Sequence, residues 1–96
     1  MSFTFIQKNE MKQFIIKKIF KRRNRCCYIC GEDKYELLDV HRIFHGEKYD
    51  NSNCVCLCTS CHRKHHSGLI IIKRWYTSSK GKVLHYIDEE GKEQFK

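Results

Sequence analysis

CVCLCTSCHRKHH, residues 54–66, carries three patterns at once. Val55 and Leu57 alternate with Cys54 and Cys56, the period of a strand. Cys58 and Cys61 then form a CxxC pair, and His62 and His66 follow four residues apart, on one face of a helix. A second CxxC pair lies upstream at Cys27 and Cys30, with twenty-seven residues between Cys30 and Cys58. Two such turns complete a tetrahedron of thiolates, the donor set of a structural zinc. Cys26 is the alternative to Cys27, in a CxxxC spacing that makes a poorer turn. Gly31 follows the first pair, where the turn needs a backbone angle open to glycine. Cys54 and Cys56 read as small, buried, apolar-like thiols.

The surrounding chain has 96 residues, seven of them cysteine, with no proline. The cysteine count is odd, and MSFTFIQKNEMKQ at the N-terminus lacks a basic segment followed by an apolar one. A secreted disulfide framework is therefore disfavoured, and a metal site in an intracellular, reducing compartment is expected. No run approaches the roughly 18 apolar residues of a membrane span, so no membrane partner is expected. Lys and Arg total 19 against 11 Asp and Glu, a net charge of +8. That balance suits an anionic partner, most often nucleic acid.

Three regions follow. Residues 1–25 read as a basic helical arm, with eight Lys and Arg against one Glu. Asn9 is the expected N-cap of a helix over 9–23. Met11, Phe14, Ile15 and Ile19 recur at helical spacing, widened by Ile16 and Phe20, as a stripe to dock on a core. Lys17, Lys18, Lys21, Arg22, Arg23 and Arg25 crowd the C-terminal end, where the helix dipole favours cations, and are candidate phosphate contacts. Residues 26–68 read as the zinc-stabilised core, with a strand over 36–43, a loop over 44–52, a strand over 53–57 and a helix over 59–67. That is a small α+β fold of treble-clef type. In residues 69–96, LIIIKRWY and KVLHYID read as strands joined across TSSKG, a β-hairpin extension of the same domain. His65 and His85 read as packing or surface histidines.

A second constellation lies between the cysteine pairs. His41 sits near the end of the first strand and Asn53 at the start of the second. With His62 and His66 from the helix, His41 can converge on a divalent cation. CYIC, LDVHRI and NCVCLCTSCHRKHH, over residues 27–68, together resemble the HNH endonucleases of the ββα-metal or His-Me finger type, in their four-cysteine subgroup. The resemblance implies zinc on Cys27, Cys30, Cys58 and Cys61. It also implies a separate divalent metal (magnesium, manganese, nickel or zinc) on His41, His62 and His66, and hydrolysis of DNA. Asn53 is either a ligand or a brace for the active loop.

One position departs from that pattern. The family's strand motif supplies a metal ligand, a general-base histidine and a hydrophobic residue; here these places hold His41, Arg42 and Ile43. Arginine cannot accept a proton at neutral pH. Three readings stand open: His41 as the base with Asp39 nearer the metal, His45 as a base from the loop, or a domain that binds nucleic acid without cutting. Arg42 and Arg63 are the phosphate contacts expected nearest the chemistry. The leading expectation is a metal-dependent DNA endonuclease, and the alternative is a non-catalytic zinc-binding nucleic-acid module.

Overall fold

The computed structural model describes residues 3–44, 52–79 and 81–96, with side chains from residue 13 onward. Helix α1 covers Phe3–Asn24. Asn9, the expected N-cap, lies inside it. Cap preference is worth only about 1 kcal/mol, and no glycine or proline precedes Gly31 to interrupt the helix. At its far end Asn24 Nδ2 donates to Phe20 O at 2.8 Å. Arg25 then takes a left-handed φ of 66°, ending the helix where glycine is usual and turning the chain into the first cysteine pair.

A short 3-10 turn, Tyr35–Leu37, replaces the first residues of the expected strand. Strand β1, Leu38–Arg42, pairs antiparallel with β2, Cys54–Cys58, in a register that sets Leu38 opposite Cys58 and Arg42 opposite Cys54. Helix α2, Thr59–His66, continues directly from β2. Both helices contact this small sheet: His62 of α2 meets Asp39 and His41 from one face, and Phe20 and Asn24 of α1 share a cleft with Cys54 on the other. Strand alternation aims Asp39, His41, Val55 and Leu57 at α2, and Val40, Arg42, Cys54 and Cys56 at α1.

The apolar stripe of α1 does not dock along its length. Phe20 packs on the core, whereas Phe14, Ile15 and Ile19 are exposed. Lengths explain the difference. Five-residue strands span about 17 Å, and a helix of 22 residues runs about 33 Å. The helix overhangs the sheet, and the molecule measures 51 × 29 × 24 Å along its principal axes.

The C-terminal region is a three-stranded antiparallel sheet rather than a hairpin alone: β3, Ile71–Ser78, β4, Gly81–Ile87, and β5, Glu93–Phe95, in that order. Asp88 builds the turn that adds β5. Its Oδ1 accepts from the N–H groups of Glu90 and Lys92, and Gln94 donates to Oδ2. These donors, led by the Lys92 N–H, hold its carboxyl below the ordinary value. Ile70, Ile72, Leu84 and Tyr86 join Cys27, Leu38, Val55 and Leu57 in one buried cluster. Trp75 Nε1 donates to Cys54 O at 2.8 Å, tying the two sheets together. Among the described residues, no helix is long and apolar enough to cross a membrane.

Candidate functional site

The first site is built by the two cysteine pairs. The Sγ atoms of Cys27, Cys30, Cys58 and Cys61 all lie within 4.8 Å of one another. Cys30 and Cys58 are 3.5 Å apart. A tetrahedron with metal–sulfur bonds of about 2.3 Å has edges of about 3.8 Å, so the spacing fits one zinc-sized ion. Local structure sets the geometry. Gly31, at φ 85°, lets the first turn close with its N–H on Cys27 O at 3.0 Å. Cys58 is the N-cap of α2, its Sγ accepting from the Cys61 N–H at 3.3 Å.

Electrostatics point the same way. Burial pushes the Cys27 thiol up, but backbone N–H groups of Cys30, Cys58 and Ile29 outweigh it and bring it down to about 7. Burial and the facing thiols push Cys30 and Cys61 up. A dication at the centre of such a group favours the thiolate at every sulfur it binds. Cys26 lies outside this group. Cys56 faces α1 with its thiol pushed up to about 12, chiefly by burial, as an inert buried thiol would be.

The second site lies between β1 and α2. His41, His62 and His66 bring one ring nitrogen each to a common point. His62 Nε2 is 3.3 Å from His41 Nδ1 and 3.0 Å from His66 Nε2. On its other side, His62 Nδ1 donates to Asp39 Oδ2 at 3.2 Å. That bond fixes the tautomer, so Nε2 carries a lone pair toward the other two rings, as in a carboxylate-oriented metal ligand. His41 is buried and His66 exposed, so the group opens on solvent at one edge. Three imidazoles with an open side suit a divalent transition metal that keeps room for further ligands.

Two neighbours frame this group. His65 Nδ1 accepts the Ile72 N–H at 3.2 Å, and its ring stands edge-on to His41 at 4.4 Å, so it forms a wall tied to β3. Asn53 braces the exit of β1. Its Oδ1 accepts the Phe44 N–H at 2.9 Å, and its Nδ2 donates to Phe44 O at 3.0 Å. Its backbone oxygen accepts the Ile43 N–H at 2.8 Å. Those contacts give Asn53 a structural task beside the histidines. Asn53→Ala strands both Phe44 groups, and the expected loss is about 1–2 kcal/mol in urea unfolding, read as a lower midpoint at unchanged slope.

The remaining expected residues are scattered. Strand alternation puts Arg42 on the face opposite His41, with its Nε shielded from solvent. Arg63 is exposed on α2. Lys17, Lys18 and Lys21 are half-buried, with Lys21 Nζ 4.5 Å over the Tyr35 ring, while Arg22, Arg23 and Arg25 are exposed. His45 lies outside the described residues. The Asp39–His62 pair escapes a reading of the linear sequence, although the alternation of Asp39 with His41 signals that both share the face of β1 toward α2.

The described residues form a compact α+β domain with two α-helices, two small sheets and two side-chain clusters, one of four cysteines and one of three histidines, each able to coordinate a metal ion. Compared with known proteins, the chain matches no family model, no curated protein and no solved structure.

Proposed function

We propose that the protein is a metal-dependent endonuclease of the HNH, or His-Me finger, type that hydrolyses DNA phosphodiester bonds. The observation that carries this reading is the convergence of His41 Nδ1, His62 Nε2 and His66 Nε2 beside a four-cysteine cluster, on a β-hairpin that runs straight into a helix. In this reading Cys27, Cys30, Cys58 and Cys61 hold a structural zinc. His41, His62 and His66 would hold a divalent cation, which would supply Lewis acidity and charge neutralisation for phosphodiester hydrolysis.

The chain's own groups do the rest. Asp39 orients His62, and Asn53 fixes the start of the loop. His41, His62 and His66 turn nitrogens to the metal, His65 has its Nδ1 occupied by Ile72, and His85 sits in the far sheet. Arg42 lies on the other face. For the proton of the attacking water, His45 of the loop is the first base to test and His41, with Asp39 nearer the metal, is the alternative. The net charge of +8, concentrated in α1, holds the DNA backbone.

The test is plasmid nicking by zinc-loaded protein with magnesium, manganese, nickel or further zinc, against an EDTA control. Metal-dependent conversion to nicked circles supports the nuclease. Binding without cutting under every metal assigns the chain to the alternative class, a non-catalytic nucleic-acid module. The arm is tested separately. Phe20 packs on the core, so charge removal is cleaner than deletion. Lys17, Lys18 and Arg22, all changed to glutamine, are expected to flatten the slope of log affinity against log salt by about 2–3. An unchanged slope returns these side chains to plain solvation.

A further inference from the structure

A cleft of about 370 Å³ opens on the α1 side of the molecule, between the last turns of α1 and the β3–β4 hairpin. Its walls are aromatic. Trp75 is pinned by its bond to Cys54 O, and the Tyr28 ring meets it edge-on at 4.9 Å and 84°. Phe20 closes the helix side. Its polar groups are cationic or neutral: Arg23 and Asn24 from α1, and Lys82 from β4, with no acidic side chain among the described lining residues. Lys82 Nζ sits 4.4 Å over the Trp75 ring, so the indole has a face that a group from the cleft reaches. Asn24 commits Nδ2 to Phe20 O, which leaves its Oδ1 as an acceptor. The negative end of the α1 dipole amounts to about half a charge, and Lys21, Arg22, Arg23 and Arg25 outweigh it.

We propose that this cleft binds a single nucleotide, its base against Trp75 and its phosphate between Arg23 and Lys82. The volume lies at the small end of ligand sites, about 300–1,000 Å³. That suits one base with its sugar and phosphate, whereas a stacked duplex offers no free base face. Stacking on an aromatic ring with a paired cation is the usual chemistry of such recognition. The site lies across the β1–β2 sheet from the three histidines and does not depend on the nuclease reading. Its ligand is either a free mononucleotide or an unstacked nucleotide within a single strand.

Trp75 is the only tryptophan in the chain, so its fluorescence reports on this cleft alone. The experiment titrates zinc-loaded full-length protein, without a second metal, with adenosine monophosphate, adenosine, inorganic phosphate and a short single-stranded oligonucleotide. Saturable quenching by the mononucleotide is expected, with adenosine and phosphate at least about tenfold weaker, since each lacks half of the recognised group. Tighter binding of the oligonucleotide identifies the strand as the source, and tighter binding of the mononucleotide identifies the free ligand. Arg23→Gln with Lys82→Gln, both at exposed positions, should weaken either by about tenfold or more at an unchanged melting temperature. The inference fails if neither nucleotide ligand saturates, if phosphate alone binds as well, or if the double variant binds like wild type.

Discussion

Cys58→Ser will leave the protein without a cooperative thermal transition. Cys58 ends β2, caps α2 through its Sγ and lies 3.5 Å from Cys30 in the four-thiol cluster. Serine is among the best N-caps, so the start of α2 keeps its acceptor and the substitution isolates the loss of the thiolate. What is lost is large. Structural zinc contributes about 10–16 kcal/mol in finger-sized domains, while a whole domain is stable by only about 5–15 kcal/mol. The core here has little to set against that, because Cys27, Cys58 and Cys61 are themselves part of the buried cluster. Circular dichroism melting with zinc content measured on the same sample checks the claim. Wild-type protein should carry one tightly held zinc and lose its transition with a strong chelator. A zinc-free protein that still melts cooperatively would falsify the structural role of the cluster.

The features legible in the sequence were those set by short spacings. CxxC followed by a histidine, the i,i+4 histidine pair and the alternation through residues 54–57 each depend on neighbours within one turn or one strand. Those are the scales on which backbone geometry dictates where side chains go. Features fixed by tertiary contacts were not legible. The task of Asn53 depends on where the chain at Phe44 returns, and the orientation of His62 depends on Asp39, twenty-three residues earlier. β5 is only three residues long, too short to show a period, and exists because Asp88 shapes the turn before it. The helix start failed for another reason. Asn9 has the chemistry of a cap, but nothing upstream of it stops a helix, and propensity alone is a weak guide to where one begins. The stripe along α1 was legible as a pattern and misleading as a prediction of burial, because the sheet beneath it is half as long as the helix.

His66→Ala is expected to abolish metal-dependent cutting while leaving the fold intact, with a loss of at least about 10²-fold in nicking rate. It is the best histidine to remove. His41 is buried and its loss would open a hole in the sheet, whereas His66 lies exposed on the last turn of α2. Its Nε2, 3.0 Å from His62 Nε2, supplies the solvent-side nitrogen of the cluster. Outer partners alone are worth about 10–100-fold in metal affinity, and a direct nitrogen should exceed that. Calorimetric titration of the zinc-loaded variant with nickel or manganese should show the second site lost, with the melting temperature unchanged. His45→Ala separates the two roles. It should keep the second metal site and lower nicking by about 10²–10⁴-fold, the usual worth of a general base. Wild-type nicking rates in His66→Ala would detach the chemistry from the three histidines, whatever metal they bind. Retained rates in His45→Ala would return the base to the histidine cluster itself, with His41 the first to test.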